Sequence, residues 1–235
     1  DPIADWRATL LRVMAFRKAL RDLDRFEASV GHVIRAPHPE GRLSLDHVEV
    51  ESVHGTLAPA LPQVDIAPGE RILFLGRPQT GKSTLFLAMA GLWDWGRGRI
   101  GLPPPDRTMF LSERPFAPTG TLRNALNHIE ERPVGDAEIA AALKRVGLGH
   151  LLPQLDTPHR WEHELTLGEQ ERLGYARLLL KRPDWLISDD ALDPGDDANR
   201  GLLQSILSTE LAKTTVVNIA DTAEPAGFYG RTVRL

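Results

Sequence analysis

The sequence predicts an α/β fold with a mainly parallel central sheet, and three observations support this. Short apolar strand candidates alternate with amphipathic helical patterns, the order typical of a parallel sheet covered by helices. A stretch of alternating apolar residues begins near residue 43, and a glycine-rich turn joins an apolar strand to a helix near residue 76. The 235 residues are 42% hydrophobic and 26% charged, the balance of a globular protein with a sizeable core.

Charge and cysteine content exclude several function classes. The chain carries 28 Lys and Arg against 32 Asp and Glu, a net charge of −4, whereas proteins that wrap bulk nucleic acid need a basic surface. The absence of cysteine excludes a disulfide scaffold, a cysteine nucleophile and a thiolate zinc site. No apolar run is long enough to span a bilayer. Because residue 1 is Asp rather than Met, we expect the natural chain to continue upstream.

The first element is an amphipathic helix over residues 5–26. Its apolar side chains recur every three or four positions, at Trp6, Leu10, Val13, Phe16, Leu20 and Leu23. Such a helix either packs on its own domain or connects the domain to a preceding segment, and both interpretations remain open. Pro37, Pro39 and Gly41 then break the chain as a linker would. We therefore divide the sequence into a connector, residues 1–36, and a main domain, residues 37–235.

The remaining elements follow from the hydrophobic pattern. Strand candidates lie at residues 43–50, 72–75, 108–111, 185–188 and 214–219. Helical patterns lie at residues 82–90, 121–129, 136–146, 168–180 and 198–211. Residues 114–167 carry helical and loop-like patterns without a convincing strand. We predict an inserted helical subdomain over about residues 114–180.

A glycine-rich segment between a strand and a helix predicts nucleotide binding. It reads G-x-x-x-x-G-K-S-T and consists of Gly76, Arg77, Pro78, Gln79, Thr80, Gly81, Lys82, Ser83 and Thr84. The glycines permit backbone angles that turn N–H groups towards phosphate oxygens, and the helix adds the positive end of its dipole. Lys82 would reach the β- and γ-phosphates, and the Ser83 hydroxyl would ligate Mg²⁺.

Two later segments narrow the class of nucleotide-binding protein. Residues 165–170 read L-T-L-G-E-Q at the start of a helix, and an apolar strand later ends in Asp189 and Asp190, with Ala191-Leu192-Asp193 next. This order resembles the ATP-binding-cassette (ABC) ATPases: Walker A, signature, Walker B and D-loop. The resemblance implies a P-loop NTPase fold with a mainly parallel central sheet, an antiparallel β edge and the helical subdomain. It also implies ATP and Mg²⁺ as cofactors.

The resemblance covers residues 43–235 for the cassette and extends to the first helix. Asp5-Trp6-Arg7-Ala8-Thr9 and the helix after it resemble the segment that follows the last membrane helix in fused permease–ATPase proteins. The most similar group is the bacterial proteins related to the peroxisomal fatty-acyl ABC transporters. This implies a transmembrane permease fused upstream of Asp1 and a location on the cytoplasmic face of the inner membrane.

The resemblance further implies a shared ATP site between two copies. In the family the signature closes over ATP held by a partner, so a second copy of the domain would complete an ATP sandwich. The implied nucleotide-binding residues of the signature are Thr166, Gly168, Glu169 and Gln170, of which Thr166, Gly168 and Gln170 would engage the γ-phosphate. No nucleic-acid partner is expected.

Three positions depart from the family pattern around the γ-phosphate. Glu113 stands for the usual glutamine, Asp190 for the glutamate that activates water, and Asp221 for the switch histidine. With Lys82 these three form the implied catalytic group, and Ser83, Asp189 and Glu113 are the implied Mg²⁺ ligands. An aspartate at residue 190 keeps the charge but shortens the reach, and an ionised aspartate at residue 221 accepts hydrogen bonds without donating. The substitutions are compatible with an active ATPase and with a weak or hydrolysis-deficient one.

Three functions follow from these observations. The leading one is the ATP-hydrolysing domain that powers a membrane transporter, with reduced turnover. The alternative is a degenerate nucleotide-sensing domain that regulates a partner without significant turnover. An ABC protein of DNA repair or translation is disfavoured by the single cassette, the acidic charge and the lack of long heptad repeats.

Overall fold

The computed structural model describes residues 2–52, 55–56, 61–112, 115–127, 134–191, 197–221 and 227–235. The α-helices are α1 (Pro2–Ser29), α2 (Lys82–Met89), α3 (Leu122–Asn127), α4 (Asp136–Arg145), α5 (Trp161–Glu164), α6 (Leu167–Lys181) and α7 (Asp197–Ser208). Short 3₁₀ helices cover Pro105–Arg107 and Gly149–Gln154. The strands are β1 (Ile34–Pro37), β2 (Leu43–Ser52), β3 (Gly55–Thr56), β4 (Val64–Ile66), β5 (Arg71–Leu75), β6 (Gly96–Leu102), β7 (Thr108–Ser112), β8 (Thr119–Thr121), β9 (Pro158–Arg160), β10 (Trp185–Asp189), β11 (Thr215–Ala220) and β12 (Arg231–Arg234).

The central sheet has the order β12-β5-β11-β10-β7, and all its neighbouring strands run parallel. Trp185 at the start of β10 lies opposite Thr108 of β7 and Thr215 of β11. Because every strand points the same way, the carboxyl ends of β5, β10 and β11 meet at one edge. The predicted parallel sheet is confirmed, and its carboxyl edge is where such sheets bind ligands.

A second sheet forms the antiparallel β edge that the sequence predicts. β2 pairs antiparallel with β6, β4 and β3, and β1 adds to β6 in parallel. The register of β2 against β6 shifts between Asp46 and Glu49, as at a β-bulge. β1 straddles the boundary drawn at residues 36 and 37, so the strand joins the connector to this sheet.

Two hydrophobic cores cover the two faces of the central sheet. Leu186 belongs to one core and its neighbour Ile187 to the other, because successive side chains of a strand point to opposite faces. The first core packs α3, α4, α6 and α7 on the sheet, and the second packs α2 and the antiparallel sheet. A strand buried on both faces reads as a continuous apolar run, which is the pattern of β10 and β11.

The region predicted to form a helical subdomain contains one feature that the sequence analysis missed. β8 and β9 form an antiparallel pair within residues 114–167, where no strand was predicted. Each strand has three residues, too few for a recognisable alternation. The side chain of Trp161 helps to fix the pair, since its indole N–H donates to the carbonyl oxygen of Gly120 at 2.8 Å.

Most of α1 exposes its apolar side chains. Trp6 is 66% exposed and Phe16 67% exposed, so this part of the helix does not pack on the domain. The last turns do, since the ring of Phe26 contacts Trp95 edge-on with centroids 5.3 Å apart. Among the described residues, no helix combines the length and the hydrophobicity needed to cross a membrane.

Candidate nucleotide-binding site

The candidate site is built at the carboxyl edge of the central sheet. β11 lies between β5 and β10, so the segments that follow these three strands are neighbours. The N–H of Gly76, after β5, donates to the carbonyl oxygen of Ala220 in β11 at 3.1 Å. The N–H of Asp190, after β10, donates to Ile219 of β11 at 2.8 Å. The fold thus brings the glycine-rich loop, the Asp189-Asp190 pair and Asp221 together.

The glycine-rich loop is folded so tightly that two of its positions need glycine. A Cβ on Gly76 would lie 2.5 Å from the Thr80 hydroxyl oxygen, so a side chain there would force the Thr80 hydroxyl out of its position. Gly81 adopts φ of 82° and Gln79 φ of 70°, in the left-handed region that glycine tolerates best. The Thr80 hydroxyl donates to the Arg77 carbonyl oxygen at 2.8 Å and closes the turn.

The end of the loop is the start of α2. Arg77, Pro78 and Gln79 are exposed, and Lys82, Ser83 and Thr84 form the first turn of the helix. The N–H groups of a first helical turn have no intrahelical acceptor, so they are suited to binding an anion. The Ser83 side chain is exposed beside them.

Lys82 is buried and its ammonium group has three acceptors within the chain. The side chain is 7% exposed, and Nζ donates to the carbonyl oxygens of Gly76 at 3.2 Å and Arg77 at 3.3 Å. It also forms an ion pair with Asp221, whose side chain is 41% exposed. Asp221 is therefore joined directly to the glycine-rich loop.

The two acids at the end of β10 differ in their surroundings. Asp189 is the last residue of β10 and lies between Ile219 of β11 and Ser112 of β7. Asp190 adopts φ of 49°, and its carboxylate accepts a hydrogen bond of 3.2 Å from the N–H of Asp221. Glu113, the third predicted acid, lies outside the described residues.

Residues 166–170 form the N-terminus of α6, which is stabilised by a capping box between Thr166 and Glu169. The Thr166 hydroxyl accepts from the N–H of Glu169 at 3.3 Å and donates to its carboxylate at 2.8 Å, and the carboxylate accepts from the N–H of Thr166 at 3.0 Å. The hydrogen bond from the backbone N–H of Thr166 has the largest effect on the Glu169 carboxyl, and with the bond from the Thr166 hydroxyl it lowers the pKa of Glu169. Gln170 donates to the carbonyl oxygens of Leu165 and Glu162 at 3.0 and 3.1 Å. The turn is held rigidly, with Gly168 partly accessible.

The loop and the α6 turn lie on different parts of the molecule. α2 packs into the core shared with the antiparallel sheet, and α6 packs into the opposite core with α3, α4 and α7. No hydrogen bond or ion pair between described residues joins residues 76–84 to residues 166–170. The phosphate-binding loop and this second, exposed turn are therefore separate surfaces of one chain.

Comparison with known proteins shows which family contains this loop, this turn and β10 in one chain. The family profile for ABC transporter matches residues 62–193, which is more than half of the chain and includes the loop, the α6 turn and β10. This chain belongs to the ABC transporter family. It is an ABC ATP-binding domain, and the α/β fold predicted for it is that of the ABC ATPases.

Relatives of this ABC domain include bacterial, plant and mammalian proteins. An uncharacterized ABC transporter ATP-binding protein of Haemophilus influenzae is 33% identical over 157 residues, covering 66% of this chain and 26% of that protein. The inner membrane ABC transporter ATP-binding protein YddA of Escherichia coli is 29% identical over 154 residues, covering 66% and 27%. The chloroplastic ABC transporter D family member 2 of Arabidopsis thaliana is 26% identical over 252 residues, covering 86% and 35%. The chain thus spans 26–35% of the length of these relatives.

A solved ABC structure shares the fold. The structure of a bacterial Atm1-family ABC exporter with ATP bound matches with a TM-score of 0.66 at 20% identity, over 82% of this chain and 36% of that one. At this identity the match establishes the fold alone. The assignment to the ABC ATPases is confirmed, and D-family transporters are among the relatives, as the resemblance implied.

The ABC domain also contains supporting residues that the sequence analysis did not assign. Asn199, which is 3% exposed, donates to the Gly168 carbonyl oxygen at 3.1 Å and to the Glu171 carboxylate at 2.7 Å. It thereby ties α7 to the signature turn. Beneath Asp189 and Asp221, Ser188 donates to the Asn218 side chain at 2.8 Å, and Asn218 donates to the Tyr229 hydroxyl at 2.9 Å.

A sequence signal existed for only some of these contacts. The T-x-x-E spacing of Thr166 and Glu169 is the capping-box pattern and could have been read directly. A polar residue within an apolar strand, as at Asn218, is a weaker signal of a buried hydrogen bond. Nothing in the local sequence around Asn199 indicates its partner, because that contact depends on how α7 packs against α6.

Proposed function

We propose that this domain binds and hydrolyses Mg-ATP, together with a second copy, to power transport across a membrane, with slowed turnover. The observation that carries the proposal is the presence, in one ABC chain, of a phosphate-binding loop and a signature turn on separate surfaces. Two copies related by a twofold axis would each supply the loop for one ATP and the signature for the other. This arrangement needs both surfaces exposed, and Ser83 and Thr166 are exposed.

The proposed partner contact at the signature has a clear chemical basis. Thr166 and Gly168 would reach the γ-phosphate, while Glu169, an anion that accepts the cap bonds, would hold the turn in shape. Gln170 would support the turn through its bonds to Leu165 and Glu162. Leu167 is 53% exposed, and an exposed leucine on this turn suits an interface with another copy.

Mg²⁺ fits the oxygen donors at the sheet edge. The Ser83 hydroxyl and the Asp189 carboxylate are hard ligands of the kind Mg²⁺ prefers. Across the described part of the chain, no three His, Asp or Glu side chains gather as a metal site. Phosphate oxygens and water would therefore complete the coordination, as is usual for Mg²⁺ with nucleotides. Glu113, outside the described residues, is proposed as a further ligand.

Slowed turnover follows from Asp190 and Asp221. Asp190 would orient the attacking water, but its carboxylate is one methylene shorter than glutamate and is bonded to the N–H of Asp221 at 3.2 Å. A misplacement of about 1 Å can cost roughly 10²-fold in rate. Asp221 offers no donor to the γ-phosphate. Lys82, which would stabilise the developing charge, is shared with Asp221.

Coupling to a membrane domain would pass through the helical subdomain. Arg177 of α6, which is 6% exposed, donates to the carbonyl oxygens of Phe116 at 2.7 Å and Ala125 at 2.9 Å. Burial lowers the pKa of Arg177 to about 10. Phe116 is 66% exposed, close in sequence to Glu113. We propose that this surface contacts a transmembrane permease fused upstream of Asp1, at the cytoplasmic face of the inner membrane.

The contacts of Asp221 also favour a second candidate, a nucleotide-sensing domain without significant turnover. Phosphate release by the full-length membrane protein in lipid vesicles, with Mg-ATP, separates the two. If the domain is an ATPase, the unmodified protein should release phosphate much faster than the Lys82→Ala variant. Release equal to that of Lys82→Ala, with ATP binding retained by the unmodified protein, would reject the ATPase and leave the sensing domain.

A further inference from the structure

The carbonyl oxygen of Gly168, in the signature turn at residues 166–170, is held by two side chains. Asn199 of α7 donates to it through Nδ2 at 3.1 Å, and Arg172 donates to it through Nε at 3.2 Å. Nδ2 of Asn199 also donates to the Glu171 carboxylate at 2.7 Å. Because Asn199 is 3% exposed, both donors of its amide are satisfied inside the protein.

The bond from Asn199 holds one end of the peptide group between Gly168 and Glu169. At the other end, the N–H of Glu169 donates to the carbonyl oxygen of Thr166 at 3.0 Å and to its hydroxyl oxygen at 3.3 Å. A peptide group is planar, so bonds at both ends set its orientation. The backbone of a glycine rotates more freely than that of any other residue, and the shape of the turn at Gly168 therefore depends on these bonds.

The contact between α7 and the signature turn is close, although the space beside it is open. A Cβ on Gly168 would lie 3.0 Å from Nδ2 of Asn199, so glycine at this position lets the amide reach the backbone. Asn199 and Arg172 both line a cavity of about 350 Å³, together with Gly147. On the side of this cavity, hydrogen bonds rather than packed side chains hold the Gly168 carbonyl group.

We propose that Asn199 is a positioning residue for the shared ATP site, because it orients the signature turn of its own chain towards the γ-phosphate bound by the other copy. The inference rests on the proposed function, since it requires a site made by two copies. The N–H groups of Leu167 and Gly168 lie in the first turn of α6, where they have no intrahelical acceptor and are available to a phosphate. Without Asn199, the Gly168 backbone can rotate, and the other copy's loop should hold ATP less tightly.

Aspartate in place of Asn199 removes the contact with the smallest change of shape. An ionised aspartate has no donor for the Gly168 carbonyl oxygen, and its charge lies against the Glu171 carboxylate that Asn199 contacts. Asn199→Ala removes the same donors without adding a charge. Asn124→Asp makes the same chemical change at an exposed position of α3 and is the matched control.

The test uses mixed dimers of the full-length protein, purified through a different affinity tag on each copy. One copy carries Lys82→Ala, which disables its own loop. The intact ATP site then combines the loop of the other copy with the signature turn of the Lys82→Ala copy. The measurement is the dissociation constant of a non-hydrolysable ATP analogue with Mg²⁺.

The effect of each variant should depend on the copy that carries it. Asn199→Asp in the Lys82→Ala copy should weaken binding of the analogue by roughly tenfold, and Asn199→Ala there should weaken it less. The same variants in the other copy, whose turn faces the disabled loop, should have a much smaller effect. Asn124→Asp should change the constant in neither arrangement.

A larger loss with the Asn199 variants in the Lys82→Ala copy supports the positioning role. Equal losses in both arrangements would show a general loss of structure and overturn it. No loss in either arrangement, in variants that melt like the unmodified protein, would also overturn it, since the turn would then keep its orientation without Asn199.

Thr166→Ala, placed in the same two arrangements, tests the shared site itself. If its effect depends on the copy and that of the Asn199 variants does not, the inference fails and the proposed function stands. If the effect of Thr166→Ala does not depend on the copy either, the two-copy site of the proposed function is overturned, and the inference with it.

Discussion

The carboxylate of Asp190 accepts a hydrogen bond of 3.2 Å from the backbone N–H of Asp221. This bond joins the end of β10 to the end of β11 at the centre of the candidate site. Two of the three residues that we expect to depart from the ABC pattern are thus in direct contact. A shift of residue 221 would therefore break this hydrogen bond to the Asp190 carboxylate.

Asp221→His should raise the ATPase rate of the full-length transporter several-fold. The histidine can donate to the γ-phosphate, and its introduction releases Lys82 from the ion pair. Phosphate release in lipid vesicles measures the effect. Asp184→His, the same substitution at the exposed Asp184–Arg107 pair, is the control and should leave the rate unchanged. An unchanged or lower rate in a folded Asp221→His protein would contradict the role given to Asp221.

Asp190→Glu should raise turnover further when combined with Asp221→His. The longer side chain restores the reach to the attacking water, and the gain should exceed the product of the single effects because the residues are in contact. The φ of 49° at residue 190 suits aspartate better than glutamate, so we expect a loss of up to about 1 kcal/mol in unfolding free energy. Turnover and urea unfolding of the four proteins measure both effects. A double variant slower than Asp221→His alone would argue against Asp190 as the group that positions water.

Thr166→Ala should destabilise the domain by about 1 kcal/mol, the usual cost of losing an N-cap hydroxyl. The variant loses the hydroxyl that bonds both the N–H and the carboxylate of Glu169. Thr166→Ser keeps that hydroxyl and is the matched control. Urea unfolding measures stability, and phosphate release measures the proposed contact with the partner's ATP. If Thr166→Ala and Thr166→Ser had the same stability and the same rate of phosphate release, the Thr166 hydroxyl would neither cap α6 nor contact the partner's ATP.

Glu210→Gln should flatten the acid dependence of stability. Hydrogen bonding from Arg145 lowers the pKa of Glu210 from its ordinary 4.5 to about 2. The stabilisation from this pair is present above pH 4.5 and is lost as the pH falls towards 2, because the unfolded chain takes up the proton first. Both side chains are one-third exposed, so solvent screening limits the effect to about 1 kcal/mol. Urea midpoints between pH 2 and 7 measure it.

The control for Glu210→Gln is Glu162→Gln, which removes an exposed carboxylate on α5. This variant should keep the acid dependence of the unmodified domain. A Glu210→Gln protein that loses stability in parallel with the unmodified one between pH 4.5 and 2 would show that the Arg145–Glu210 pair contributes nothing to folding.

The sequence predicts the parts of the site that depend on local pattern. The G-x-x-x-x-G-K-S-T segment falls between β5 and α2, as expected, and the strand predicted at residues 72–75 is β5 with Arg71 added. Alternating strands and helices correctly predict the parallel sheet, because each strand buried on both faces is a continuous apolar run. The helix predicted over residues 168–180 is α6, with one residue added at each end.

The remainder depends on contacts between distant segments. The pair of β8 and β9 joins two three-residue strands far apart in the chain, and neither has a pattern of its own. The ion pair of Lys82 with Asp221 arises because β11 is inserted between β5 and β10, a strand order that periodicity does not encode. In the sequence, Arg177 looks like one more charged residue of an amphipathic helix, although it is buried and donates to the backbone oxygens of Phe116 and Ala125.

The exposed apolar side chains of α1 have a practical consequence at the bench. A helix that presents Trp6, Val13 and Phe16 to water, each more than half exposed, favours self-association whether or not nucleotide is added. Particle size alone would then misreport ATP-driven pairing of the purified fragment. Charged replacements at these three positions would prevent self-association through α1. Any change in particle mass that ATP still causes would then come from the ATP-binding domain.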